Sequence, residues 1–347
     1  MKKKVDFIIV GQGIAGTTLA FKLLQKKYTV RVIDKFNHNS SSSIALGLYN
    51  PLVLKWFTKS WEVDNQLNDM FDYLYEFEKK FNTKINFQKN IHKLLHSTFD
   101  QNNWLEKQIS PKRSPYMSKN LKFLDNIKKP FGVVKKSGWV DVKLMLDTFR
   151  NFLKTNLLIS DEQFIYDKLI INDNLINYNK YSCTYLVFCE GSAVLKNRFF
   201  NYLDFKMTKG EIINFFSPNL KINEIIHSGV TTIPLGDDNY VAGSTFSHNI
   251  HDLKCKPESK NEIIEKIKKI KDFNFVINSQ SIAIRPSVYD RRPIIGPHFK
   301  YKNIFLMNGL GSRGVLMASY LANILLSNIF RKEKINSEIN VDRFITI

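Results

Sequence analysis

Three glycines, Gly11-x-Gly13-x-x-Gly16, stand between an apolar run, Val5-Asp6-Phe7-Ile8-Ile9-Val10, and a helical pattern, Leu19-Ala20-Leu23-Leu24. A second apolar run from Tyr28 to Ile33 ends on Asp34, about twenty residues past the glycines. The first glycine permits a tight turn, the second lets backbone approach a pyrophosphate, and the third lets helix pack close to strand. The helix start offers free N–H groups and the positive end of its dipole to phosphates. A carboxylate at Asp34 accepts the hydroxyls of a ribose. That chemistry is dinucleotide binding, and this end of the chain alone admits NAD, NADP or FAD. At the far end, Asn308-Gly309-Leu310-Gly311-Ser312-Arg313-Gly314-Val315 leads into another apolar helix. It is a second turn able to hold an anion or a ring edge, although a plain strand-to-helix turn reads the same way. Just before it lies Ile284-Arg285-Pro286-Ser287-Val288-Tyr289-Asp290-Arg291-Arg292-Pro293-Ile294-Ile295-Gly296.

The elements that must position these residues follow from periodicity. A polar loop, Asn37 to Ser43, runs into Ala45-Leu46-Gly47-Leu48-Tyr49-Asn50-Pro51, where small residues suit close approach to a ligand. Asn50-Pro51-Leu52-Val53 has no role that chemistry assigns. Leu67, Met70, Phe71, Leu74 and Phe77 recur at helical spacing between Trp61 and Phe81. Phe131 to Val140 reads as strand with a turn at Gly138, and Val142 to Leu153 as helix. Tyr185 to Phe188 is a buried strand ending in Cys189-Glu190-Gly191-Ser192. A strand-rich section follows, including Glu211 to Phe216 and Tyr240 to Thr245, then an amphipathic helix from Asn261 to Ile270. Ile304 to Met307 is the last short strand. Strand–glycine–helix pieces at both ends imply one cofactor domain assembled from separated segments.

At 347 residues, 44% hydrophobic and 24% charged, the composition is that of an ordinary globular enzyme with room for two domains. No apolar run is expected to cross a bilayer, the stretch from Val315 to Leu326 being interrupted by Ser319 and Asn323. Lys2-Lys3-Lys4 leads straight into a strand, unlike a signal peptide. Cys183, Cys189 and Cys255 without a C-x-x-C fit a reducing cytoplasm with no disulfide set, and no metal-ligand pattern is read. The net charge of +19 marks either an anionic partner such as RNA or an A+T-rich genome that inflates Lys, Asn and Ile. The excess is mostly Lys and is spread along the chain, as in Lys266, Lys268, Lys269 and Lys271, which favours composition.

Taken together, the two glycine turns, Asp34, the small-residue loop at Gly47, Gly191 after its strand, and the Arg285-Pro286…Pro293-Ile294-Ile295-Gly296 segment resemble the D-amino acid oxidase-like (DAO) family of FAD-dependent oxidoreductases. The order matches over nearly the whole chain. The Arg285 region resembles glycine oxidases. The Gly311-Ser312-Arg313-Gly314 turn resembles still more the FAD domain of the bifunctional tRNA 5-methylaminomethyl-2-thiouridine biosynthesis enzyme, which removes a carboxymethyl group from an amine on wobble uridine.

The resemblance implies an α/β fold. A Rossmann-type FAD-binding domain would be built from residues 1–52, 138–205 and 283–347. A mixed antiparallel-sheet α+β substrate domain would comprise 53–137 and 206–282. Gly11, Gly13, Ile14, Ala15, Gly16, Asp34 and Lys35 would hold the ADP half of FAD. Ser43, Gly47 and Leu48 would pass the pyrophosphate and flavin, and Gly191 would face the adenylate. Gly309, Gly311, Ser312, Arg313, Gly314 and Val315 would lie by the flavin, where backbone N–H groups stabilise the negative charge of its reduced form. Arg285 would clamp a substrate carboxylate, the pairing that the planar guanidinium suits, with Arg313 a second candidate and an ion pair to Asp290 the structural alternative.

His227, His248 and His298 are read as surface or packing residues, and Tyr240 and Tyr289 as packing or pocket rim. Two departures narrow the resemblance. Glycine oxidases carry His, Arg and Asn where this chain has Leu310, Ser312 and Arg313. The methyltransferase half of the bifunctional enzyme is not in this sequence, so a tRNA role is expected of a free-standing oxidase. The expected activity is oxidation of the C–N bond in a small carboxylate-bearing amine or in a modified tRNA. A nicotinamide-dependent dehydrogenase would leave the second glycine turn unexplained. A flavin-bound RNA- or partner-binding module without catalysis is the non-enzymatic alternative.

Overall fold

The computed structural model describes residues 2–124, 127–172, 175–250 and 252–345. Its helices are α1 (Ile14–Gln25), α2 (Val63–Phe81), α3 (Thr98–Gln108), α4 (Val142–Thr155), α5 (Pro257–Lys268) and α6 (Gly314–Arg331). The first strand, Lys3–Val10, lies parallel between Val30–Ile33 and Tyr181–Phe188. Ile159–Ser160 extends this sheet on one side and Ile304–Asn308 on the other, both parallel to their neighbours. Buried on both faces, these strands read as continuous apolar runs, as parallel sheets require.

A second, eight-stranded sheet runs Val276–Arg285, Thr208–Phe216, Asn239–Gly243, Thr231–Gly236, Ile225–His227, Ile91–Leu94, Ile127–Val134 and Lys122–Leu124. Its pairs are antiparallel except Ile225–His227 with Ile91–Leu94. Here the period-two alternation places Ile213, Ala242 and Ile226 in a core with Ile263 and Ile267 of α5. The opposite face lines a cleft between the two sheets. The expected strand from Phe131 to Val140 is two strands in different sheets. Lys136, at φ 51°, makes the break, and Gly138–Val140 joins Leu48–Tyr49 and Asn86–Gln88 in a small third sheet. The expected helix at Asn261 starts earlier, at Pro257, a residue preorganised for a first helical position.

Although α2 precedes the large sheet in the chain, its apolar face packs on the helices of the parallel sheet. Phe21 of α1, Tyr73 and Phe77 of α2, and Phe149 of α4 form one aromatic cluster with ring centroids 5.4–6.4 Å apart. Contrary to expectation, α6 is long and apolar enough by composition to span a bilayer, with a mean hydropathy of 1.2. In the fold its Leu316, Met317, Leu321 and Leu325 are buried in the core shared with α1 and α2. Phe149 is fully buried and touches four aromatic neighbours. Phe149→Ala is expected to lower stability by about 3–5 kcal/mol, read as a lower urea midpoint at unchanged slope.

Candidate active site

Both glycine turns open into one cleft of about 1120 Å³. At the first turn, a Cβ on Gly16 would stand 1.9 Å from the carbonyl oxygen of Gly11, so only glycine permits this approach of α1 to the strand. The N-cap residues of α1 and α6, Gly13 and Arg313, provide no side-chain cap. The amides of Gly13, Ala15, Ser312, Gly314 and Val315 have no partner among the described residues, and donors of this kind suit anionic groups. Ile14 N–H donates to Ser42 Oγ at 3.1 Å. Gly311 N–H, expected to face the flavin, instead donates to Pro286 O at 3.0 Å. The two helix starts are adjacent, since a Cβ on Gly314 would lie 3.4 Å from Ile14 Cδ1.

Asp34 lies on the cleft wall with its side chain 21% exposed. Its Oδ1 accepts Gln12 N–H at 2.9 Å, and its Oδ2 accepts Arg150 Nη1 at 2.7 Å. Arg150, buried on α4, also binds Gln12 Oε1 and Asp161. The carboxylate is therefore held in one orientation, with lone pairs left for ribose hydroxyls. Lys35 is exposed at the rim. Ser43 lines the cleft, but its hydroxyl closes the loop on Ser40 and Asn37 O, and the neighbouring Ser42 touches the glycine turn. Gly47, at φ 69°, packs against Val140 O, and Leu48 pairs with Trp139. Gly191 faces open space, and its carbonyl accepts Asn308 Nδ2 at 2.9 Å. Gly309 packs against Val288 and Pro293.

Arg285 stands on the cleft face of the large sheet with its guanidinium over Gly210. It donates to Ser244 Oγ and forms no ion pair among the described residues. Asp290, the alternative partner, binds Arg343 instead. Burial alone lowers the Arg285 pKa. Arg313 is tied elsewhere, donating to Ser60 Oγ and to Leu52 O, and burial brings it down to about 10. The unassigned Asn50–Val53 segment thus anchors Arg313.

Of the histidines, His298 is buried and accepts the N–H groups of Lys300 and Tyr301, a packing role, and His248 meets Phe246 edge to face. His227 lines the cleft, which the sequence reading missed. Tyr240 stacks on Phe215 in the core under α5, and the exposed Tyr289 meets Lys206; neither is a cleft residue. Nothing in the sequence marked Arg150, a lone cation on an amphipathic helix.

The cradle fits FAD: one cleft reaches from the phosphate-binding turn to the second glycine turn, lined by free amides and a fixed carboxylate. Arg150→Leu strips Asp34 of its charged partner and is expected to weaken FAD binding about tenfold or more. Release of fluorescent FAD on dilution of the variant measures it.

Residues 171–327 match the family model described as FAD dependent oxidoreductase (DAO). Among solved structures, the chain is similar to glycine oxidase from Bacillus cereus, at 18% identity and a TM-score of 0.76, covering 95% of this chain and 96% of that one. It is similar to iminodiacetate oxidase from Chelativorans sp., at 14% identity and a TM-score of 0.76, covering 96% and 97%. L-proline dehydrogenase from P. horikoshii follows at 13% identity and a TM-score of 0.74, covering 96% and 95%. The match to the FAD dependent oxidoreductase family model spans the second glycine turn and Arg285, and the fold is shared with these structures along nearly the whole chain.

Proposed function

We propose that this enzyme oxidises the C–N bond of an amine bearing a carboxylate, and that Arg285 binds that carboxylate. The observation that carries the reading is a largely buried guanidinium on the cleft wall whose side-chain partner is the neutral Ser244 hydroxyl. A buried cation without a counter-charge is costly, and a bidentate carboxylate satisfies it. Arg150 is paired with two carboxylates, and Arg313, also without a counter-charge, is held by a hydroxyl and a backbone carbonyl, so both serve as positioning residues. The three similar structures are named for glycine, iminodiacetate and L-proline, each an amine beside a carboxylate.

When bound, FAD supplies the acceptor for the hydride leaving the carbon next to nitrogen, and water hydrolyses the resulting imine. The protein's share is orientation. Arg285 fixes the carboxylate end, and the free amides of Ser312, Gly314 and Val315 face developing negative charge at the start of α6. An amine that enters neutral needs no protein base. A second reading, the carboxymethylaminomethyl group of tRNA wobble uridine, is favoured by a group of lysines, Lys93, Lys129 and Lys269, gathered closely enough that, after burial, their charges lower the pKa of His96 between them.

Anaerobic mixing with glycine, sarcosine, D-alanine, proline and tRNA carrying carboxymethylaminomethyluridine tests the proposal. Bleaching of the flavin band by one of them is expected and identifies the substrate class. Arg285→Met is then expected to lower kcat/KM for that substrate about a hundredfold to a thousandfold, the cost of deleting one partner of a buried charge pair. Bleaching by none, with Arg285→Met matching the parent, would leave the non-catalytic alternative.

A further inference from the structure

The cleft face of the large sheet carries a row of residues in direct register. Ile212 pairs with Gly243, Gly243 with Thr231, Thr231 with His227, and His227 with Lys93. Ile212, Gly243, Thr231 and His227 all line the cleft. Arg285 sits at one end of this row, over Gly210 and bonded to Ser244, the neighbour of Gly243. His227 sits two strands away, which at about 4.8 Å per strand is on the order of 10 Å from Gly243. Between them the wall is low, made by Gly243 and the short Thr231 side chain, with apolar Ile212 beside it.

At the far end, His227 Nδ1 is 3.0 Å from Thr231 Oγ1. With the threonine hydroxyl donating to Nδ1, the ring's proton is on Nε2, which has no hydrogen-bond partner among the described residues. Burial and the charges of Lys93, His96 and Lys266 push this imidazole down to about 3, so it is neutral at ordinary pH. Lys93 donates to Leu94 O and is stabilised as a cation by the charge of Asp100, while Lys266 pairs with Glu262. A neutral N–H donor beside Lys93, which forms no ion pair among the described residues, recognises an oxygen carrying negative charge.

Resting on the assignment of Arg285, we propose that the cleft has a distal subsite at His227 and Thr231, backed by Lys93, that takes an oxyanion group, carboxylate or phosphate. The substrate is then an elongated amine with a carboxylate at Arg285, which spans Gly210 and Ser244, and a second anionic group roughly 10–15 Å away, two to three strand spacings. An amino acid the size of glycine leaves the far subsite empty.

The test titrates the FAD-loaded enzyme with acetate, octanoate, suberate and the ω-phosphonate analogue of suberate, following both the flavin spectrum and binding heat. Suberate or its phosphonate analogue is expected to bind about tenfold tighter than octanoate, the worth of one charge-assisted hydrogen bond. Whichever of the two binds tighter identifies the oxyanion. His227→Phe and Lys93→Met should each remove that advantage while acetate, which reads Arg285 and serves as the folding control, binds as before. Equal binding of suberate, its phosphonate analogue and octanoate, or an equal loss for acetate and suberate in His227→Phe, overturns the distal subsite. Failure of the Arg285 reading looks different: Arg285→Met then leaves acetate and suberate binding unchanged.

Discussion

Everything in this site depends on how closely α1 approaches the first strand. The space that a Cβ on Gly16 would fill is taken by the Gly11 carbonyl, 1.9 Å away. That contact brings the start of α1 to the end of the strand and aims its unpaired amides into the cleft. It also puts Ile14 against Gly314, so the start of α6 is located by the start of α1. The two glycine turns are nearly three hundred residues apart in sequence, yet they form adjoining parts of one wall.

Three arginines illustrate how burial assigns roles. Arg150 is placed among Asp34, Asp161 and Gln12, and its charge is spent on fixing the carboxylate of the dinucleotide site. Arg313 is satisfied by Ser60 and a backbone carbonyl, so it ties the second turn to the Leu52–Val53 strand. Arg285 alone of the three has a single neutral partner. Arg313 and Arg285 both lack a counter-charge, but Arg313 has two neutral partners and Arg285 one, which leaves Arg285 the arginine with more donors free on the cleft wall.

The large sheet separates structure from recognition by alternation. Ile213, Ala242 and Ile226 face α5, and the residues one step along face the cleft. The cleft wall is therefore built from several strands in register, with His227, Thr231 and Gly243 contributed by three different segments. A shift of one residue in any of these strands would bury the contact and expose the core.

Much of the cofactor site was legible in the sequence because its signals are local. A glycine turn, the strand before it and the helix after it are consecutive residues, and their spacing states the geometry. Asp34, Gly47, Gly191 and Leu310 to Gly314 line the cleft for that reason, whereas Gly309, expected beside the flavin, packs behind it against Val288 and Pro293. The helices other than α3 were legible from apolar periodicity, with ends off by a few residues where a cap rather than the pattern decides, while α3 buries only Trp104 and carries no such pattern. Only the tertiary structure decided the partners: that Arg150 holds Asp34, that Ser42 rather than Ser43 meets the first turn, that Gly311 N–H is already bonded, and that His227 faces the cleft. These are pairings between segments far apart in the chain. They depend on which strands lie in register across a sheet, and no spacing within one segment encodes that.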